Sequence, residues 1–202
     1  MAGGVRKLFI SDEGLVEYAR YTLNKRGITL TEDSLAEEIA RLKASLQKVV
    51  KKKHIKSISI RGTGEMSIKT NQLFISTSDT GILRRFPIGS WEIVLRVEHD
   101  VLFKAQEKSI YAFNSGCWGS DTVHPHISGR TSHGCLGSAE GNIYKSHQRG
   151  DIEVLISLLI GYLTSVNIYD AAGKYLSRCL ECELDDQGNP ILEEKAPRCV
   201  WV

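Results

Sequence analysis

Apolar residues recur at helical spacing in the first half of the chain. They lie three or four residues apart, which places them on one face of an amphipathic α-helix: Leu35, Ile39, Leu42, Leu46 and Val49. Thr31 can cap this helix, and Ser34 followed by Glu37 offers a second capping box. Glu37 and Arg41 are four residues apart and can form an ion pair on its surface.

A second helical stretch covers residues 152–166 and is apolar nearly all round. This pattern predicts a buried helix that opens after Gly150-Asp151. Residues 167–170 then break the pattern, and residues 171–182 indicate a last helix. The segment 183–202 is expected to be a hairpin or a tail.

Between the two helices the pattern has the alternation and the turn signals of β-strands. We expect strands at 55–60, 66–69, 73–77, 82–86 and 91–97, the last of which is the richest in β-branched and aromatic residues. The sequence predicts no helix between them, so it favours an antiparallel meander and an α+β protein. Residues 98–122 are expected to be irregular.

The first 30 residues are expected to be an N-terminal arm of uncertain structure. Within it, Leu8-Phe9-Ile10 suits a short strand, and residues 13–25 suit a short helix that ends before Gly27.

Composition narrows the class of protein. The chain of 202 residues is 42% hydrophobic with a net charge of +2, which fits one medium domain with a real core. The mixed charges argue against a protein that coats nucleic acid or membrane. A basic run at residues 48–56 fits the solvated end of a helix better than a docking patch. No apolar stretch of about 18 residues and no signal peptide is evident, so a cytoplasmic location without a membrane partner is expected.

The chain has five cysteines, an odd number: Cys117, Cys135, Cys179, Cys182 and Cys199. A cytosolic protein with reduced thiols is expected rather than a disulfide framework.

The candidate chemistry is concentrated in residues 123–137. Four of the six histidines, His124, His126, His133 and His147, lie within 24 residues, and Cys135 lies among them after Gly134. Histidine can shift the pKa of a thiol or carry its proton, and the thiolate is the nucleophilic form of cysteine. The stretch predicts a loop that exposes a thiol, and the alternative is a structural loop with a buried cysteine.

The order of helix, meander, His-Pro loop, cysteine and further helices resembles the ubiquitin-conjugating enzymes. His124-Pro125-His126 corresponds to the family's His-Pro-Asn motif, and Cys135-Leu136 corresponds to its catalytic cysteine and the leucine after it. The stretch 163–170 is similar to the break that follows the family's next helix. The resemblance covers residues 31–182 and is closer to the prokaryotic and phage branch, which includes phage-defence systems. The chain departs from the family pattern at His126, which stands in place of asparagine, and in a slightly longer interval to Cys135.

The resemblance implies a ubiquitin-conjugating-enzyme-like fold and a transferase activity without cofactor or metal. Cys135 would accept a ubiquitin-like protein as a thioester from an activating enzyme and pass it to an amine on a protein substrate. His126 would stabilise the developing oxyanion, and His124 with Pro125 would shape the loop beside it. His133 would tune the thiol, and Asp121 and His147 are weaker candidates for accepting a proton.

Three alternatives stay open from the residues themselves. One is a catalytically inactive binding module of the same fold. Another is a zinc-binding Cys/His domain, with ligands drawn from Cys117, His124, His126, His133 and Cys135, or from Cys179, Cys182 and Cys199. The third is a cysteine hydrolase with a histidine base, for which no third orienting residue is evident.

Overall fold

A computed structural model of the chain describes residues 7–79, 82–97, 100–106, 113–115, 119–122, 124, 126–127 and 131–165, with side chains placed except at 76–79, 82–87, 113–115 and 119–122. The elements in chain order are β1 (Lys7–Ile10), α1 (Asp12–Lys25), α2 (Glu32–Val49), β2 (Ile55–Ile60), β3 (Met66–Thr70), β4 (Leu73–Asp79), β5 (Ile82–Gly89), β6 (Trp91–Leu95), β7 (Val101–Ala105), β8 (Phe113–Ser115), β9 (Gly119–Thr122), α3 (Glu140–Arg149) and α4 (Ile152–Thr164). A 3₁₀ turn, Gly137–Ala139, precedes α3. The predicted α+β class is confirmed.

The main sheet has five strands in the order β1-β2-β3-β6-β7. Strands β2, β3, β6 and β7 pair antiparallel, as the meander prediction required, whereas β1 pairs parallel to β2. Strands β4 and β5 leave this sheet and form a hairpin of their own, and β8 and β9 form a second small pair. Because β1 is parallel to β2 while the other neighbouring strands are antiparallel, the five-stranded sheet is mixed.

The core lies between the sheet and the helices. Fully buried apolar residues of α2 and α4 join those of the strands in one cluster, including Leu42, Leu46, Leu155, Leu159, Ile58, Ile68, Trp91 and Ile93. Burial of each such side chain contributes about 1.5–3 kcal/mol. The predicted apolar stripe of α2 is confirmed at its centre and end, while Leu35 and Ile39 are only partly buried.

The N-terminal elements share this core. The predicted strand and helix are confirmed as β1 and α1, and Leu15, Tyr18 and Ala19 of α1 are fully buried in the same cluster. Gly14 lies at the crossing of α1 with the chain after β2, where an added Cβ would overlap the carbonyl of Arg61. The domain boundaries expected at residues 31 and 183 stay predictions.

Three expectations from the sequence are wrong. Residues 98–122 are not wholly irregular, because Val101–Ala105 forms β7 beside β6. Helix α3 stands where only a loop was expected. Arg41 pairs with the buried Glu38 rather than with Glu37, because Glu38 faces α1 while Glu37 is exposed.

Smaller expectations have mixed outcomes. Thr31 caps α2 as predicted, and Ser34 completes this capping box instead of forming a second one. Strand β5 continues through Pro87 to Gly89, past its predicted end. The helix predicted at 171–182 and the hairpin or tail predicted at 183–202 lie outside the described residues. Among the residues that the structure describes, no helix has the length and apolar character needed to cross a bilayer.

Candidate functional site

The loop before Cys135 is joined to the sheet by backbone hydrogen bonds. Leu102 of β7 bridges to His133, and the amide of Phe103 donates to the carbonyl of Ser132 at 2.8 Å. Ile127 in turn bridges to Gly134. The two arms of the loop therefore continue the pairing beyond β7, which fixes the position of the residue that follows, Cys135.

Cys135 is a free cysteine with an exposed side chain. It borders an open groove of about 490 Å³ between the start of the 3₁₀ turn and α4. The lining is mostly small or hydroxylated: His126, Cys135, Leu136, Gly137, Ser138, Ala139, Ser157, Leu158, Gly161, Tyr162 and Ser165. The predicted exposed thiol is thus confirmed, and the alternative of a buried cysteine is wrong.

His126 shares the groove with Cys135. Its side chain is half-buried, and its carbonyl accepts the amide of Cys135 at 2.8 Å. The two residues that the sequence proposed as nucleophile and oxyanion donor therefore line one cleft, although eight residues separate them in the chain.

His124 lies under the loop rather than in the groove. Its ring is 0% exposed, Nδ1 accepts the amide of His126 at 3.1 Å, and Nε2 lies 3.1 Å from the carbonyl of Leu163. These contacts require a neutral ring with its proton on Nε2. Burial lowers the pKa of His124 to about 3, with a smaller contribution from the charge of His126 that outweighs the hydrogen bond to Leu163. Both nitrogens bind backbone, so His124 has the contacts of a loop-shaping residue.

The other predicted histidines lie outside the groove lining. His133 is exposed, with Nδ1 3.8 Å from a carboxylate oxygen of Asp100. His147 is buried on α3 against the aromatic rings of α1, with centroids 5.6 Å from Tyr18 and 5.2 Å from Tyr21. The structure thus brings His126 to Cys135 and places His147 in the core.

Several candidates cannot be placed. Asp121 is in β9, where side chains are not described, and Pro125 lies outside the described residues. So do Cys117, Cys179, Cys182 and Cys199. Within the described ranges, no three His, Cys, Asp or Glu side chains come together in a way that could hold a metal ion.

Tyr162 is the site residue that sequence reasoning did not single out. The sequence pattern includes it among the apolar positions of the helix predicted at 152–166, yet its hydroxyl lies 2.9 Å from the carbonyl of His126 and 3.3 Å from that of Cys135. A tyrosine in a mostly aliphatic helix was the available signal, since a buried hydroxyl requires a partner.

No family model, no curated protein and no solved structure matches this chain. The geometry of the loop, the thiol and the groove is therefore the basis for a proposed function.

Proposed function

We propose that this protein is a carrier enzyme for a ubiquitin-like protein, with Cys135 as the residue that holds the modifier as a thioester. The observation that carries the proposal is the exposed thiol of Cys135 at the side of a groove lined mostly by small or hydroxylated residues. Such a groove leaves room for an extended peptide to reach the sulfur. The ubiquitin-conjugating-enzyme-like fold is part of this proposal, supported by the order α2, antiparallel strands, His-Pro loop, cysteine and helices.

The chemistry is two successive acyl transfers. The Cys135 thiolate attacks the thioester carbonyl on the activating enzyme, and the thiolate of that enzyme leaves. An amine on the protein substrate then attacks the new thioester, loses its proton to solvent or to a nearby base, and Cys135 leaves as thiolate. The second step develops negative charge on the carbonyl oxygen, where a donor in the groove would stabilise it.

His126 is proposed as that donor. It is half-buried in the same groove as Cys135, and its backbone is held on both sides, by His124 at the amide and by Tyr162 at the carbonyl. A fixed backbone limits where the imidazole can lie, which is what a pre-organised donor requires.

The geometry weakens the alternatives. A binding module without chemistry has no need of an exposed thiol in a groove. A zinc site that uses His124 conflicts with the backbone hydrogen bonds at both of its ring nitrogens, which leave no lone pair for a metal.

The first test is thioester formation. The protein is incubated with ATP, a candidate activating enzyme and a ubiquitin-like protein encoded beside its gene, and analysed on non-reducing gels. We expect an adduct that thiols remove, that is absent in Cys135→Ala, and that becomes a thiol-resistant ester in Cys135→Ser. If no candidate pair charges Cys135 and a small alkylating reagent does not modify it in the folded protein, the proposal fails.

The second test separates loading from transfer. His126→Ala should lower the rate of transfer to a free amine by about 100-fold, the usual cost of an oxyanion donor, while thioester formation changes much less. His133→Ala is the matched control, because His133 is exposed and outside the groove lining. Equal losses of loading and transfer in His126→Ala would contradict the assigned role.

A further inference from the structure

Tyr162 lies between the core and the loop that carries Cys135. It projects from α4 and its ring packs against Phe103 of β7 at 5.1 Å and against His124 at 5.7 Å between centroids. Both neighbours are buried, so the ring is anchored to the core through Phe103 and to the buried start of the loop through His124. Tyr162 also lines the groove beside Cys135.

The Tyr162 hydroxyl joins the two arms of the loop. It donates to the carbonyl of His126 at 2.9 Å, with the carbonyl of Cys135 as a second, longer acceptor at 3.3 Å. The His126 carbonyl also accepts the amide of Cys135 at 2.8 Å, so both of its lone pairs are used. One hydroxyl therefore ties helix α4 to the backbone on each side of the loop.

Gly134 makes this approach possible. A Cβ at position 134 would lie 2.6 Å from the Tyr162 hydroxyl oxygen and 3.0 Å from Phe103, which is closer than side chains pack. A side chain directly before Cys135 would therefore press against the Tyr162 hydroxyl and the Phe103 ring, and glycine leaves room for the hydroxyl at the loop carbonyls. This gives the Gly-Cys sequence a steric reason that is separate from the chemistry of the thiol.

The hydroxyl keeps its proton under working conditions. Burial raises the pKa of Tyr162 above its ordinary value, and the negative charge that Cys135 acquires as a thiolate raises it further. A neutral hydroxyl can donate throughout the catalytic cycle, including while Cys135 is ionised.

We infer that Tyr162 is a positioning residue, which holds the backbone of His126 and Cys135 so that the thiol and the imidazole share the groove in one geometry. It acts through the two carbonyls and does not itself touch the reacting atoms. The inference extends the proposed carrier function, because the groove that it shapes is the one assigned to the thioester.

The direct test measures the loop in Tyr162→Phe, which keeps the ring and removes the hydroxyl. The amide of Cys135 should exchange with solvent about five- to tenfold faster, the size expected for one lost hydrogen bond. Tyr144→Phe on α3 is the matched control, because Tyr144 is also partly buried but does not line the groove. An unchanged exchange rate at Cys135 in Tyr162→Phe would overturn the inference.

A second variant tests the steric relation. Gly134→Ala should raise the same exchange rate, and the double variant with Tyr162→Phe should be no faster than Gly134→Ala, since both changes break one contact. Additive effects of the two substitutions would contradict a shared contact.

The activity test distinguishes positioning from general destabilisation. In Tyr162→Phe the maximal rate of thioester formation should fall about tenfold. The concentration of charged activating enzyme that gives half of this rate should not change, because the variant loses the alignment of the thiol and not the binding of its partner. A rise in half-saturation with an unchanged maximal rate would overturn the role. If the wild-type protein accepts no modifier, the carrier function fails, while the exchange measurements still decide the role of Tyr162.

Discussion

At the scale of single residues, the position and role of each histidine depend more on its surroundings in the fold than on its residue type. His124, His126 and His133 are the same side chain within ten positions, yet one is buried under the loop, one lines the groove and one is exposed. Local sequence placed them together because they share a loop. The His124 ring is held under the loop by its hydrogen bonds to the amide of His126 and to the carbonyl of Leu163 in α4. His126 is therefore the histidine that shares the groove with the thiol.

His124 carries a pH prediction. The pKa of its folded-state ring is about 3, against 6.5 for the free side chain. As the pH falls below 6.5, the unfolded chain takes up a proton that the folded protein does not, so the free energy of unfolding decreases until the pH reaches about 3. Nuclear magnetic resonance titration should show an unprotonated His124 ring in the folded protein at pH 5.

The outcome that would contradict this prediction is visible in the same spectra. A His124 ring that becomes protonated near pH 6 while the protein stays folded would mean that the ring is hydrated and that its two backbone contacts are not maintained.

At the scale of elements, strong periodicity predicted boundaries well and weak periodicity did not. Helix α2 begins and ends where its apolar stripe and Thr31 indicated. Helix α3 was missed because only Ile143, Ser146 and His147 of its ten residues are buried, and it begins without a side-chain cap. Its end at Gly150, which has a φ of 66°, was visible in the sequence but was assigned to the start of the next helix.

The cap of α2 gives a stability prediction. The Thr31 hydroxyl accepts the amide of Ser34 at 3.1 Å, and the Ser34 hydroxyl accepts the amide of Thr31 at 2.9 Å. Thr31→Ala should lower the free energy of unfolding by about 1 kcal/mol, measured by urea denaturation. Thr29→Ala is the control. The Ser34 hydroxyl donates to the backbone carbonyl of Thr29, which the substitution keeps, and the Thr29 side chain is exposed. Equal losses in the two variants would show that the cap contributes nothing specific.

At the scale of the whole molecule, one buried carboxylate connects three helices. Glu38 is 3% exposed and accepts hydrogen bonds from Thr22, Arg26 and Arg41. Arg41 also donates to the carbonyl of Arg149 at the end of α3. Glu38 and its three hydrogen-bond donors therefore join α1 and α2 to the junction before α4. Helix α4 forms one side of the groove beside Cys135.

The ionisation of Glu38 determines how the free energy of unfolding changes at low pH. Burial by itself would raise the pKa of Glu38, but hydrogen bonds from Arg41 and Thr22 and the charges of Arg41 and Arg26 lower it below the ordinary value of 4.5. The sign is that of a carboxylate with a depressed pKa: its contribution is complete above about pH 4.5 and is lost as the pH falls through the folded-state pKa.

Glu38→Gln should lower the free energy of unfolding by about 1–3 kcal/mol at pH 7, because charged hydrogen bonds are lost inside the fold. The difference from wild type should shrink at pH 3, because the carboxyl of the unfolded wild-type chain takes up a proton below its ordinary pKa of 4.5. Chemical denaturation at both pH values measures it, with the exposed Glu37→Gln as control. A difference of the same size at both pH values would contradict the charged state of Glu38.

The sequence by itself determined the α+β class, the two strongest helices, the antiparallel strands and the loop that carries Cys135. These follow from hydrophobic spacing, caps and turn residues, which act between neighbours in the chain. Only the tertiary structure decided that β1 pairs parallel to β2, that Arg41 binds Glu38, that His147 is in the core and that Tyr162 reaches the loop before Cys135. Those outcomes join residues far apart in sequence, so their energies depend on packing that no local pattern records.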